Sequence, residues 1–234
     1  MVFKKLVSGL SDKLTTSSNA IKEIIKESNQ YLEAELNVAK ESTEAILALQ
    51  SYAEKETPSL EAAITALATT LEGIENARKD KVKELKENFI APLETLLDGF
   101  IKRQTEIREA EDAKKALDKA ENKLNKLSSK PKEKLKPGQL DQAKTVVKEA
   151  KATVEKEEEE VKKANESFAK QKLEIMQQVL TSLHDIEKAY HEKTVELFGD
   201  VIEKAKEIKV EEEAKIEKQI DLSGLVDKKN KKEE

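Results

Sequence analysis

By residue type, His184 and His191 are the side chains best suited to acid–base or metal chemistry. Seven residues apart on a helix, they sit about two turns apart on one face. A shared zinc ion more often takes helical histidines four residues apart. The pair therefore reads as surface or interface histidines. The chain has no cysteine, which removes thiolate catalysis and cysteine-ligated zinc. Its six glycines (Gly9, Gly73, Gly99, Gly138, Gly199 and Gly224) are scattered, so none builds a phosphate-cradling loop. No serine elbow is present. The expectation is a protein that is not an enzyme, with no catalytic residue, no metal site and no cofactor. The chemistry left to it is that of charge and apolar surface.

Two segments concentrate that chemistry. In the first, Val2, Phe3, Leu6, Val7, Leu10 and Leu14 fall within a helical arc of about 140°, with Lys4 and Lys5 outside it. Such a segment is too short to span a bilayer. It can lie in the interface with its apolar side down, and these six residues are the expected membrane-inserting set. In the second, Lys126, Lys130, Lys132, Lys134 and Lys136 fall within eleven residues that hold a single acid, Glu133. Each lysine close to an anionic leaflet contributes about 1 kcal/mol of attraction.

The elements that position these segments follow from composition. Of 234 residues, 39% are charged, 37% apolar and 3% aromatic, with only four prolines. Such a chain favours long helices over many short strands or a deep globular core. A net charge of −5 argues against general nucleic-acid binding. Gly and Pro punctuate the chain at Pro58, at Pro92 and in Ser128–Gly138. They divide it into a leader with a hinge (1–18), helix 1 (about 20–55), helix 2 (about 58–127), a loop (128–138) and helix 3 (about 139–218). The helical domain spans 19–218, and residues 219–234 read as a disordered tail.

Helix 1 repeats every seven residues in two adjacent series: Ile24, Tyr31, Val38, Ala45, Tyr52 and Ile25, Leu32, Ala39, Ile46, Ala53. Two stripes make a face broader than one seam requires. Helix 3 carries a narrow seam (Val147, Val154, Val161, Phe168, Ile175) and then a richer half whose spacing drifts toward eleven. Antiparallel folding at the two loops sets Pro92 opposite roughly Glu174, and Pro92 should kink helix 2. The apolar surface of Tyr31, Val38, Tyr52, Phe89, Leu183, Ile186, Tyr190 and Leu197 exceeds what three helices can cover. These residues are the expected core of a twofold dimer. The fold class is all-α: three long kinked antiparallel helices in a coiled-coil bundle.

The junction YAEKETPSL (52–60), the segment VKELKENFIAPLETLL with Pro92-Leu93, the connection SSKPKEKLKPG (128–138) and the helix 3 stretch FAKQKLEIMQQVLTSLHDIEKAYHEKTVELF together resemble the BAR-domain superfamily, in particular small stand-alone N-BAR-like proteins. The resemblance implies a crescent homodimer that senses or generates membrane curvature. Its expected partners are a second copy of itself and an anionic phospholipid membrane, with a small GTPase or trafficking protein as a further candidate and no nucleic acid. It places the protein in the cytoplasm, peripheral on membranes. It also implies that Lys102, Arg103, Arg108, Lys114, Lys115 and Lys119 meet lipid head groups. A weaker basic cluster, Arg78, Lys79, Lys81, Lys83 and Lys86, lies nearer the dimer centre. On composition alone the helix 2 cations form an ordinary solvated face, because Glu106, Glu109, Glu111, Asp112 and Asp118 are interleaved with them. The acidic run Glu155, Glu157–Glu160 favours the alternative, a coiled-coil tether or small-GTPase-binding protein that does not itself bend membranes.

Overall fold

The computed structural model describes residues 2–199 and 201–216, with residues 2–12 and 132 described by backbone alone. In chain order the helices are α1 (Val2–Ala53), α2 (Pro58–Leu85), α3 (Ala91–Ser128), α4 (Gln139–Phe198) and α5 (Val201–Lys206). Residues 210–216 are also helical. No strand occurs among the described residues.

α1 runs unbroken through residues 15–19, where the sequence predicts a hinge. The hydroxyls that would compete with the helical backbone are engaged instead. Ser18 Oγ donates to the Thr15 carbonyl at 3.0 Å, and Gln104 Nε2 reaches Thr15 Oγ1 at 3.2 Å. Ser18 is 3% exposed. A polar run therefore stays helical because α3 supplies its partners.

Pro92 is where the sequence predicts a kink. It offers no N–H to the carbonyl one turn earlier and its ring crowds that carbonyl. The backbone widens into a π-helical turn over Lys86–Ile90 just before it, a common site of helix deformation. The α3–α4 connection holds a short 3-10 turn at Lys132–Lys134. It ends at Gly138, whose φ of +76° demands glycine. Helix 3 ends earlier than its periodicity predicts: α4 stops at Phe198, before Gly199.

The chain forms two compact units. Unit 1 comprises Met1–Glu27 and Ile90–Leu180. Within it α3 and α4 run antiparallel, with Phe100 opposite Phe168 and Glu121 opposite Lys151. Four of the five residues of the expected seam are buried, Val147, Val154, Val161 and Phe168 each at most 8% exposed, and Ile175 is half-buried. Phe100 and Phe168 meet edge to face at 4.9 Å between centroids. They can do so because Gly99 has no side chain; a Cβ there would lie 2.6 Å from the Phe168 ring.

Unit 2 comprises Ser28–Phe89 and Thr181–Glu234. Of the two α1 stripes, one faces inward in this unit. Leu32, Ala39, Ile46 and Ala53 are 1–6% exposed. In the other stripe Tyr31, Val38 and Tyr52 are 44%, 50% and 52% exposed. Leu197 closes on Gly73, where an added Cβ would lie 3.1 Å from its side chain. α5 packs against α2.

Candidate membrane interface

The basic residues fall into three structural environments. Lys126, in the last turn of α3, and Lys130, Lys134 and Lys136, on the α3–α4 connection, are exposed. Proline and the positive-φ Gly138 restrict that loop, so its lysines are displayed on a compact turn. The side chain of Lys132 lies outside the described residues, as do those of Val2, Phe3, Lys4, Lys5, Leu6, Val7 and Leu10. Leu14, the last of the expected inserting set, is 7% exposed and belongs to the core of unit 1. It is withdrawn from that set, because the continuous α1 turns it inward.

The cations of α3 divide. Lys102 and Arg108 are exposed. Lys115 is exposed and paired to Asp112 at 2.8 Å. Lys114 is half-buried, with Glu158 at 4.0 Å. Arg103 is not a membrane contact at all: it is 3% exposed. Its guanidinium donates to the Val161 carbonyl at 3.0 Å and to Asn165 Oδ1 at 2.9 Å, and it pairs with Glu106 on the next turn. Burial pushes its pKa down from the ordinary arginine value, yet an arginine stays charged. A groove lined by four carboxylates, Glu106, Glu109, Glu157 and Glu160, and one cation, Lys163, lies in the same unit.

The weaker cluster on α2 is also reassigned in part. Lys81 is buried, its side chain 3% exposed, and Arg78 is largely covered. Lys81 Nζ donates to Glu35 Oε1 and to Tyr31 Oη, both at 2.8 Å, with Glu187 Oε2 at 3.7 Å. It also lies 4.5 Å from the Tyr190 ring centroid, a cation–π distance. Arg78 pairs with Glu35 and donates to Glu75 Oε2 at 2.8 Å. Burial alone would raise the Glu35 carboxyl, but hydrogen bonds from Lys81, Tyr31 and Arg78 outweigh it and hold the pKa down to about 2. For Lys81, burial opposes the charge and the bonds to Glu35 and Tyr31 prevail, raising its pKa. Heptad spacing carries the signal for this layer. Glu75 sits between Ala68 and Val82, and Lys81 seven residues after Ile74, all buried.

Of the expected dimer-core residues, Ile186 is 6% exposed and packs inside unit 2. It is therefore core of the single chain. Phe89, Leu183, Tyr190 and Leu197 are half-buried. His184 and His191 are exposed, and His191 Nε2 lies 3.9 Å from Glu187. Among the described residues, no group of three or more His, Cys, Asp or Glu could hold a metal ion. None of the described helices is long and apolar enough to cross a membrane.

The BAR domain family model matches residues 8–207. The Amphiphysin BAR domain from Drosophila superposes with a TM-score of 0.75 at 15% identity, covering 89% of this chain and 94% of that one. The N-terminal I-BAR domain of D. discoideum IBARa gives 0.56 at 18% identity, covering 92% and 98%. No curated protein matches the chain. By the extent of the family match, the chain belongs to the BAR domain family, whose members are non-enzymatic scaffolds that form homodimers, bind membranes and sense or generate their curvature.

Proposed function

We propose that this protein is a homodimeric scaffold that binds anionic membranes through the lysines of its α3–α4 connection and inserts its N-terminal segment into the head-group layer. The observation that carries this reading is the exposure of Lys126, Lys130, Lys134 and Lys136 on the last turn of α3 and the connection that follows it, in a BAR domain. At about 1 kcal/mol per lysine near an anionic surface, the connection supplies attraction that weakens with salt. Val2, Phe3, Leu6, Val7 and Leu10 supply the apolar side of an interfacial helix. The exposed α1 stripe of Tyr31, Val38 and Tyr52 supports self-association. A stiff dimer of this kind favours a membrane already matching its surface, because little of its binding energy goes into deforming the lipid.

Replacement of the four exposed lysines by glutamate tests the electrostatic part. Sedimentation with anionic vesicles at low salt is expected to fall by more than tenfold, with self-association unchanged; undiminished sedimentation rejects the role. Phe3→Glu with Leu6→Glu tests insertion, and is expected to abolish vesicle tubulation while leaving part of the binding.

The groove of Glu106, Glu109, Glu157 and Glu160 favours a second reading, a tether that docks a basic protein, a small GTPase among the candidates. Equal sedimentation with anionic and neutral vesicles would favour it over the membrane scaffold.

A further inference from the structure

α2 begins without a cap of its own. Thr57 occupies the N-cap position but makes no side-chain cap bond, and Pro58 has no N–H to satisfy. The next donor, the Ser59 N–H, would be orphaned. Its partner comes from 154 residues further along the chain: Glu213 Oε1 accepts it at 2.9 Å. The exchange is mutual. Lys209 stands at the N-terminus of the helical residues 210–216, its carbonyl accepting from the N–H groups of Glu212 and Glu213. The N–H of Lys209 donates to Ser59 Oγ at 3.1 Å. A serine and a glutamate thus satisfy each other's helix N-termini, the logic of a capping box distributed over two distant segments.

Apolar burial contributes little to this contact. None of the residues of α5 is buried; Val201 and Ile208 are half-buried, and Ile202, Val210 and Ile216 are 60%, 71% and 39% exposed. A segment held by a few polar bonds belongs to the low-stability end of a fold and opens without global unfolding.

We propose that residues 201–216 form a reversible latch, fastened onto the α1–α2 corner by reciprocal capping between Ser59 and the Lys209–Glu213 turn. Closed, the latch completes the first turn of α2. Open, it exposes that N-terminus. It makes no use of membrane chemistry and so stands apart from the scaffold reading.

Amide hydrogen exchange on the full chain tests it, comparing wild type with Glu213→Ala, Glu213→Gln, Ser59→Ala and the double variant Ser59→Ala/Glu213→Ala. In both alanine variants exchange over residues 201–216 is expected to quicken about tenfold, with α4 up to Phe198 unchanged. Each single variant loses one of the two bonds, and because each bond helps to hold the segment for the other, the double variant should quicken exchange by less than the product of the two single effects. Glu213→Gln keeps an acceptor and should restore most of the protection. Wild-type exchange in Glu213→Ala, acceleration spread evenly over unit 2, or additive effects in the double variant would overturn the latch.

Discussion

Each unit buries a cation, and the two do so by different chemistry. In unit 1 Arg103 spreads its planar fork over the Val161 carbonyl, the Asn165 side chain and one carboxylate, Glu106. In unit 2 Lys81 sits among Glu35, Glu187 and two tyrosine rings. Arginine cannot give up its charge, so largely neutral acceptors suffice to satisfy its donors. Lysine is a point charge that burial would neutralise, so carboxylates must hold its proton. Unit 1 is thus cemented by aromatic packing with a polar inclusion, and unit 2 by an ionic layer set in an aliphatic stripe. Their responses to mutation and acid should differ accordingly.

The largest effect is expected in the aromatic seam. Phe168→Ala removes the partner of Phe100 and opens a cavity beneath Gly99. It should cost about 3–5 kcal/mol by urea unfolding. A loss under about 1 kcal/mol would mean that the seam does not carry unit 1. Next, Lys81→Met removes one of the two cations paired with the buried Glu35 carboxylate, leaving Arg78 as the other, at a cost of about 3 kcal/mol. Replacing Glu35, Arg78 and Lys81 together by Leu, Met and Met should recover most of that loss, since an apolar layer leaves no charge unpaired. If the triple variant is worse than the single one, the layer is a net source of stability.

Acid should separate the units. Because the folded pKa of Glu35 lies near 2, below its unfolded value, its contribution is complete above about pH 5. It is lost as pH falls toward 2, on the order of 3 kcal/mol at the limit. Thermal unfolding followed by circular dichroism should therefore show a steeper acid loss in wild type than in Glu35→Gln. Parallel curves would refute the assignment. The smallest effect is expected from Arg103→Lys, which keeps the charge and loses the fork; about 1–2 kcal/mol, with little acid dependence of its own, is the expected result.

The same contrast shows what periodicity can and cannot reveal. The α1 series Leu32, Ala39, Ile46, Ala53 and the α4 series Val147, Val154, Val161, Phe168 were legible because burial repeats with the helix. The antiparallel pairing followed from two loops marked by Pro58 and by the 128–138 connection. Arg103 read as one more lipid-facing cation, since its neighbours Lys102 and Glu106 are charged and nothing local marks it as inward. Lys81 was marked only by standing seven residues from Ile74. Glu213 carried no local mark at all, because its partner, Ser59, lies 154 residues away. The hinge expected at 15–19 failed for a related reason: Gln104, far off in sequence, satisfies the hydroxyls.

What the amino-acid order determined alone is the local physics: where helices can start and stop, which stripe is apolar, where proline must deform the backbone, and where lysines gather without acids. These depend on residues within a turn or two of one another. Tertiary structure decided which of two apolar stripes turns inward, which cations are spent on buried pairs, and which residue caps α2. Those outcomes depend on partners brought together across long chain separations, and a short-range pattern holds no record of them.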